Sequence, residues 1–425
     1  MTVSKPPATG FTRRSLLAAG IPLALPARAS QRTVLTVAAF SAVDEIAKAA
    51  LPAWRALHPD VDIQIVSRQF SDHHTAMTTA LSTSVLLPDV MVLESGYVGR
   101  FSQGTGLQDL TQAPYDIARF RGRMVPFAYD QALSAKGAVV AMPTDIGPGT
   151  LLYRKDVIER ADVTPTDLTQ SWDTYIAAGA RIKAATGAYL IGNVQSIKDL
   201  LIRSGIKPGE GLYFDKDSNV LVQSDRFVRA FEMARKARSL KLDARTATWS
   251  NEWGEGFKRG TVATELTAAW MVGQLSSWIA PNTKGLWRAA PLPGGSVAAY
   301  GGSFYAIPRR ADPARKALAW EFIQFMTLNR ERQLAAFKTY DAFPALLETH
   351  SDPFFDAPVE FLGGQPARQL WRDTARKITA ISTHKQSAFA EEVVGTELSN
   401  VLEHGKSIPI ALADAQRLLE RRAHR

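Results

Sequence analysis

Between residues 34 and 66 the hydrophobic pattern changes period twice, and this constrains the fold more than any other feature. Val34–Phe40 (VLTVAAF) is a short, apolar, β-rich run and reads as a buried strand. Ile46, Ala50, Trp54 and Leu57 then recur at helical spacing, and Ser41 and Asp44 offer capping groups for the start of that helix. His58-Pro59-Asp60 ends it, and Val61–Val66 alternates as VDIQIV, a second strand. Further strands are expected at Val90–Leu93, behind Pro88-Asp89, and at Gly137–Met142. Strands alternating with helices predict an α/β fold with a parallel sheet and crossover connections.

The rest of the chain fills in this frame. Residues 164–241 read as mostly helical, and Leu292–Gly302 reads as a connection rich in Gly and Pro. Asp312-Pro313 is an N-cap with a first-turn proline. It opens a helix whose apolar face is Leu318, Phe322, Phe325 and Met326. The last hundred residues read as helices with polar turns. A length of 425 residues suggests two or three domains.

Residues 1–29 read as an address and not as part of the fold. Thr12-Arg13-Arg14-Ser15-Leu16-Leu17 leads into an apolar stretch ending at Leu25, then Ala27-Arg28-Ala29. A basic region, a short apolar core and a small-x-small site make up a cleaved export signal. The apolar run is shorter than the roughly 20 residues that span a bilayer. The paired arginines point to the twin-arginine route. Four of the 50 basic residues, and no acidic one, lie in this segment: Lys5, Arg13, Arg14 and Arg28. Without them the excess over the 41 acidic residues falls from nine to five. The densest basic clusters, Arg119 with Arg121 and Arg123, and the tail Arg417, Arg421, Arg422 and Arg425, are too short for a nucleic-acid groove. They read as solvated surface.

Composition removes several chemistries. With 46% hydrophobic and 21% charged residues the chain is neither disordered nor fibrous. It has no cysteine. That excludes disulfides, thiolate metal sites, cysteine nucleophiles and a cysteine-linked lipid anchor. No GxxxxGK[ST], strand-linked GxGxxG or HExxH occurs. His73-His74 reads as a surface pair, not a metal site. The segments Gly294-Gly295-Ser296 and Gly301-Gly302-Ser303 do not complete a G-x-S-x-G elbow. Carboxylates are plentiful, so a glycosidase pair stays open, although no pair has a distinctive context. No cofactor and no metal are expected.

The order of motifs along the chain resembles the family 1 extracellular solute-binding proteins of ABC importers, the sugar-binding group that includes maltose-binding protein. The resemblance runs from about Thr33 to about Glu420. It rests on His58-Pro59-Asp60 between the first two strands, Pro88-Asp89-Val90, and Gly106-Leu107-Gln108-Asp109-Leu110. It continues through Pro143-Thr144-Asp145, Tyr153-Arg154-Lys155-Asp156, Trp172-Asp173, and Phe257-x-x-Gly260 with Trp270 beyond it. Pro291–Gly294, Gly301–Ser303, the helix Ala314–Leu328 and Phe343-Pro344 complete it. Arg154 replaces the usual Asn. Phe389 is followed by Ala390 where maltose-type members often carry tryptophan, so maltodextrin itself is not implied.

The resemblance implies a two-lobed periplasmic binding protein fold with a multi-strand hinge and discontinuous lobes. One lobe would hold residues 32–144 plus 300–346, the other 147–298 plus 349–425, with crossings near Asp145, Ala299 and Thr349. It implies a monomeric, non-catalytic periplasmic receptor, free of any lipid anchor, that passes a sugar to permease subunits. Trp270 would cover the apolar face of a sugar ring, with Trp249 and Trp253 as further aromatic candidates. Asp145 would accept hydroxyl hydrogen bonds, and Gly301, Gly302 and Ser303 would bring backbone donors close. Phe40, Ser41, Glu94, Tyr340 and Asp341 complete the expected site. Two alternatives remain at this point: a receptor for another polar solute such as a glycerophosphodiester or polyol, and an exported carbohydrate-active enzyme.

Overall fold

The computed structural model describes residues 1–2, 32–102, 104, 106–134 and 136–424. The expected export signal lies outside them, apart from Met1 and Thr2. Seven strands form one mixed sheet: β1 (Thr33–Phe40), β2 (Val61–Arg68), β3 (Val90–Glu94), β4 (Met142–Arg154), β5 (Thr264–Ala268), β6 (Trp287–Ala290) and β7 (Ala299–Ala306). Their order is β2-β1-β3-β7-β4-β5, with β6 also on β4.

The expected parallel sheet is found only at one end. β1 is parallel to β2 and β3, whereas every pairing made by β7 and β4 is antiparallel. β7 lies between β3 and β4 and runs opposite to both. Gly301–Ser303, read as a loop, is therefore the middle of a strand. The strand expected at Gly137–Met142 begins only at Met142. Residues 138 and 139 instead bond outside the sheet, Ser134 N to Ala138 O (2.8 Å) and Leu110 N to Val139 O (2.8 Å).

β4 joins two halves of the molecule. Met142–Pro148 pairs with β7, and Gly149–Arg154 lies between β5 and β6. The register against β7 breaks on both sides of Asp145 and Ile146. A third segment runs alongside: Ile146 N donates to Phe343 O (2.8 Å), and Ala345 N to Thr144 O (3.1 Å). Three strands of backbone thus cross together near Asp145.

Among the described residues, fifteen helices of five or more residues position the site or cover the sheet in the following chain order. On the N-terminal side are α1 (Val43–Leu57), α2 (Phe70–Thr83), α3 (Ser95–Ser102) and α4 (Pro126–Gln131). Then come α5 (Lys155–Arg160), α6 (Pro165–Thr169), α7 (Trp172–Thr186), α8 (Gln195–Arg203), α9 (Asp225–Ser239) and α10 (Asn251–Arg259). After the four-residue α11 (Met271–Gln274), α12 (Pro313–Leu328), α13 (Arg330–Tyr340), α14 (Ala367–Ala375), α15 (Ser387–His404) and α16 (Ile408–Ala423) close the chain.

Packing explains the motifs. Ala47, Ala50 and Trp54 of α1 are buried, and Trp54 stands edge-on to Phe322 (5.2 Å) and Phe325 (5.4 Å) of α12. Leu57, expected on that face, is exposed. Neither Ser41 nor Asp44 caps α1. Ala42 holds the cap position with no side-chain bond, and Asp44 pairs with Lys48 one turn on (3.0 Å). Trp54 also stacks on His58 (3.9 Å between rings). Asp89 ties β1 to α12, accepting from Thr36 N (2.8 Å) and Arg315 Nε (2.8 Å). Arg154 takes Asp156 with two nitrogens (both 2.8 Å) and reaches Phe257 O (2.6 Å), fastening the end of β4 to α10.

Two apolar cores result. One contains residues 35–146 and 299–346 and continues into 253–289 and 355–375. The other is built from residues within 151–242 and 290–298 and from α15 and α16.

Candidate functional site

Strand register brings three of the expected residues into one row. Glu94 of β3 faces Ser303 of β7, and Ser303 faces Asp145 of β4. Burial pushes the Asp145 carboxyl up to about 6 against a hydrogen bond from Ser303, and the nearby charge of Glu94 adds to the rise. Burial also raises Glu94, whose oxygens take Ser95 Oγ (2.6 Å) and Gly96 N (2.7 Å) at the start of α3.

His73 and His74 hold this end of the sheet in place. They are buried, not the surface pair expected, because α2 packs them against β1 and β3. The His73 ring Nε2 lies 2.7 Å from Val92 O, so that nitrogen carries the proton. His74 Nε2 accepts from Glu94 N (3.1 Å), so its proton sits on Nδ1, which donates to Phe70 O (2.8 Å). Both rings are neutral, and burial pulls His74 down to about 4. Phe40 packs against Phe70 (5.4 Å) and the two histidines and is 8% exposed; Ser41, the next residue, is exposed.

Trp270 follows β5 and is half-buried. Its Nε1 donates to Tyr300 O (2.8 Å). Two glycines make that seat. A Cβ on Gly301, whose φ is +83°, would lie 3.0 Å from Trp270 Nε1; one on Gly147 would lie 1.9 Å from Tyr300 O. Asp341, in the left-handed region at the end of α13 (φ 53°), and the Tyr340 carbonyl close on Gly273 just beyond Trp270. Burial pushes Asp341 up to about 6, with Arg368 opposing.

Trp249 is 50% exposed and near-parallel to Trp270, 6.0 Å between rings. Trp253 is core instead of site wall. It is 2% exposed and edge-on to Phe257 (4.6 Å), because it faces inward on α10 over Gly192.

The sequence reading missed a polar group from the second half. Arg203, at the end of α8, lies over the Tyr300 ring (4.9 Å), and its charge reaches Glu94 across the junction. Arg203 also lines a cavity of about 530 Å³ with Arg226, Arg229 and Lys377. Glu265 of β5 is 3% exposed. One of its oxygens takes Ser196 Oγ (3.3 Å) while Oε2 has no hydrogen-bond partner, and burial pushes it up to about 8. It is therefore a neutral carboxylic acid at pH 7. Its setting in the short run TELTA, beside Thr264 and Leu266, gave no signal of this.

Chemically, the arrangement is an aromatic plate beside acceptor carboxylates, with a cation opposite.

Comparisons with known proteins agree with this geometry. A family described as "Bacterial extracellular solute-binding protein" matches residues 42–362. The lactose-binding protein of Rhizobium radiobacter is 25% identical over 383 residues, covering 84% of this chain and 87% of that one. The arabinooligosaccharide-binding protein of Bacillus subtilis (strain 168) is 26% identical over 284 residues, 64% of each. The solved structure of an extracellular solute-binding protein of family 1 superposes with a TM-score of 0.79 at 21% identity, covering 92% of this chain and all of that one. That likeness establishes the two-lobed α/β fold.

Proposed function

This chain belongs to the bacterial extracellular solute-binding protein family, and from that premise we propose that it is the substrate-binding receptor of an ABC importer. It captures a sugar or oligosaccharide between its lobes and delivers it to the membrane permease. The observation that carries the reading is Trp270: an indole seated by two glycines beside the Glu94–Ser303–Asp145 row. A sugar ring has an apolar C–H face for the indole and hydroxyls for the carboxylates. The sugars in the names of the two relatives support the ligand class.

The lobes are residues 32–144 with 300–346 and residues 147–298 with 349–425, hinged where the three backbone segments cross near Asp145. The receptor is a monomer without catalytic activity. It is exported by the twin-arginine route, cut after Ala29 and free in the periplasm. No helix among the described residues is long and apolar enough to cross a membrane.

A thermal-shift screen over sugars and polyols tests the reading, since a ligand stabilises by RT ln(1 + [L]/Kd). Stabilisation by a sugar, with no product released from glycosides, is the expected result. Stabilisation by polyols or glycerophosphodiesters alone would replace the ligand class, and glycoside turnover would replace the receptor by an enzyme.

A further inference from the structure

The aromatic surface does not stop at Trp270. Four rings follow one another in near-parallel planes. Tyr300 and Trp270 are 6.3 Å apart at 28°, Trp270 and Trp249 6.0 Å at 21°, and Trp249 and Trp278 6.3 Å at 18°. Planes this parallel at this spacing are offset, not pressed face to face. Each ring therefore leaves part of its face uncovered, like the treads of a stair. The inner end is closed by the Arg203 guanidinium over Tyr300. Toward the other end the rings emerge into solvent: Trp249 is 50% and Trp278 57% exposed.

Two backbone features hold the outer rings there. Trp249 has φ +70°, a region that bulky aromatic residues seldom occupy. Such strain persists where the surroundings fix it, and it gathers at ligand sites. The surroundings are visible: the next residue, Ser250, caps α10 by accepting from Trp253 N (3.2 Å), and Trp253 packs beneath Trp249 (5.2 Å). Trp278 rides on a single π-helical turn, Leu275–Ile279, a rare form that is frequent at functional sites. Its Nε1 donates to Gln274 Oε1 (2.8 Å), which fixes the plane of the indole.

We infer that Trp249 and Trp278 are outer steps of the binding site, taking successive sugar rings beyond the one on Trp270. The ligand is then an oligosaccharide of three or more units, not a mono- or disaccharide. This rests on the sugar-receptor reading above.

Calorimetric titration with two probe ladders, β-galacto-oligosaccharides and arabino-oligosaccharides of one to five units, tests it. Wild-type affinity should climb with length through at least the trisaccharide of one ladder. Trp278→Ala should lose roughly tenfold on the longer chains and nothing on the shortest binder, with Trp278→Phe recovering part. A melting curve should show both variants folded, since the ring is exposed. Equal losses at every length, or none, would overturn the inference. So would a Trp278→Ala chain that binds normally but no longer supports importer-dependent uptake, because the stair would then face the permease. A wild type that binds a disaccharide and gains nothing from longer chains overturns the inference and leaves the receptor standing. Binding to no member of either ladder and to no sugar of the thermal-shift screen overturns both.

Discussion

In the proposed site Trp270 and Asp145 would act on different parts of a ligand, and single substitutions separate them. Trp270→Ala should weaken sugar binding by roughly 2–4 kcal/mol, and Trp270→Phe should restore part of it. Asp145 gives a pH signature. Its carboxyl is pushed up to about 6, so it is largely ionised at pH 7 and protonated at pH 5. Ionised, it accepts with both oxygens; protonated, it offers a donor instead. Affinity should therefore rise from pH 5 to 7, and Asp145→Asn should flatten that rise while costing roughly 1–3 kcal/mol at pH 7. A rise that survives in the variant would move the effect to Asp341 or Glu94. Glu265 makes a stability prediction. The folded chain keeps its proton up to about pH 8, whereas an unfolded glutamate releases it near pH 4.3, about its ordinary value. The folded state thus binds the extra proton across this window, and stability falls as pH rises through it. Glu265→Gln should melt close to wild type at pH 5 and above it at pH 8.5. Trp270, Asp145 and Glu94 were legible in the sequence because each lies at or just beyond a strand or beside the Pro-x-Asp motif. Arg203, Tyr300 and Trp278 were not, since only the fold brings α8, β7 and the turn after α11 together.

β1, β2, β3, α1 and α12 declare themselves in the hydrophobic pattern; β4, β5, β6 and β7 do not. Leu292–Gly302 reads as a connection, and Gly301-Gly302 reads with it. Gly301-Gly302 and Gly147–Gly149 become strand because β4 and β7 pair with each other here, with Phe343 and β5 flanking β4, and because side chains at these points would strike Trp270 or the opposite backbone. Propensity loses to tertiary packing where two halves of a molecule must meet closely. The Gly147 position is the sharpest case. Its added Cβ would meet backbone, Tyr300 O at 1.9 Å, and not a side chain that can swing away. Gly147→Ala should destabilise the ligand-free protein by roughly 1–3 kcal/mol or more, read from denaturant unfolding. It should also weaken binding, because Tyr300 carries the acceptor for Trp270. A variant with unchanged stability and affinity would show that β4 and β7 are looser here than their pairing indicates. The buried histidine pair teaches the same lesson for a helix. Adjacent polar residues looked like surface, yet α2 uses both to hold β3, one through Val92 O and one through Glu94 N.

At the scale of the whole molecule, the expectation of two lobes came from motif order, and the apolar cores do not divide as cleanly as the chain segments do. Residues 355–375 share a core with the first half, although they lie in the stretch expected in the second lobe. A hinge made of three crossing segments should still let the lobes close on a ligand. Small-angle scattering at saturating sugar should give a smaller radius of gyration than the ligand-free protein; an unchanged value would mean a site that fills without closure. The position of β7 between β3 and β4 has another consequence, for how the chain is made. β3 pairs residues 91–94 with 303–306, so the neighbour of a strand made early is supplied only after some two hundred further residues. Contacts of such long sequence separation slow folding. Until the ribosome has passed Ala306, β3 and the first half of β4 present open edges, and chains halted before Ala299 should accumulate as aggregates held by those edges.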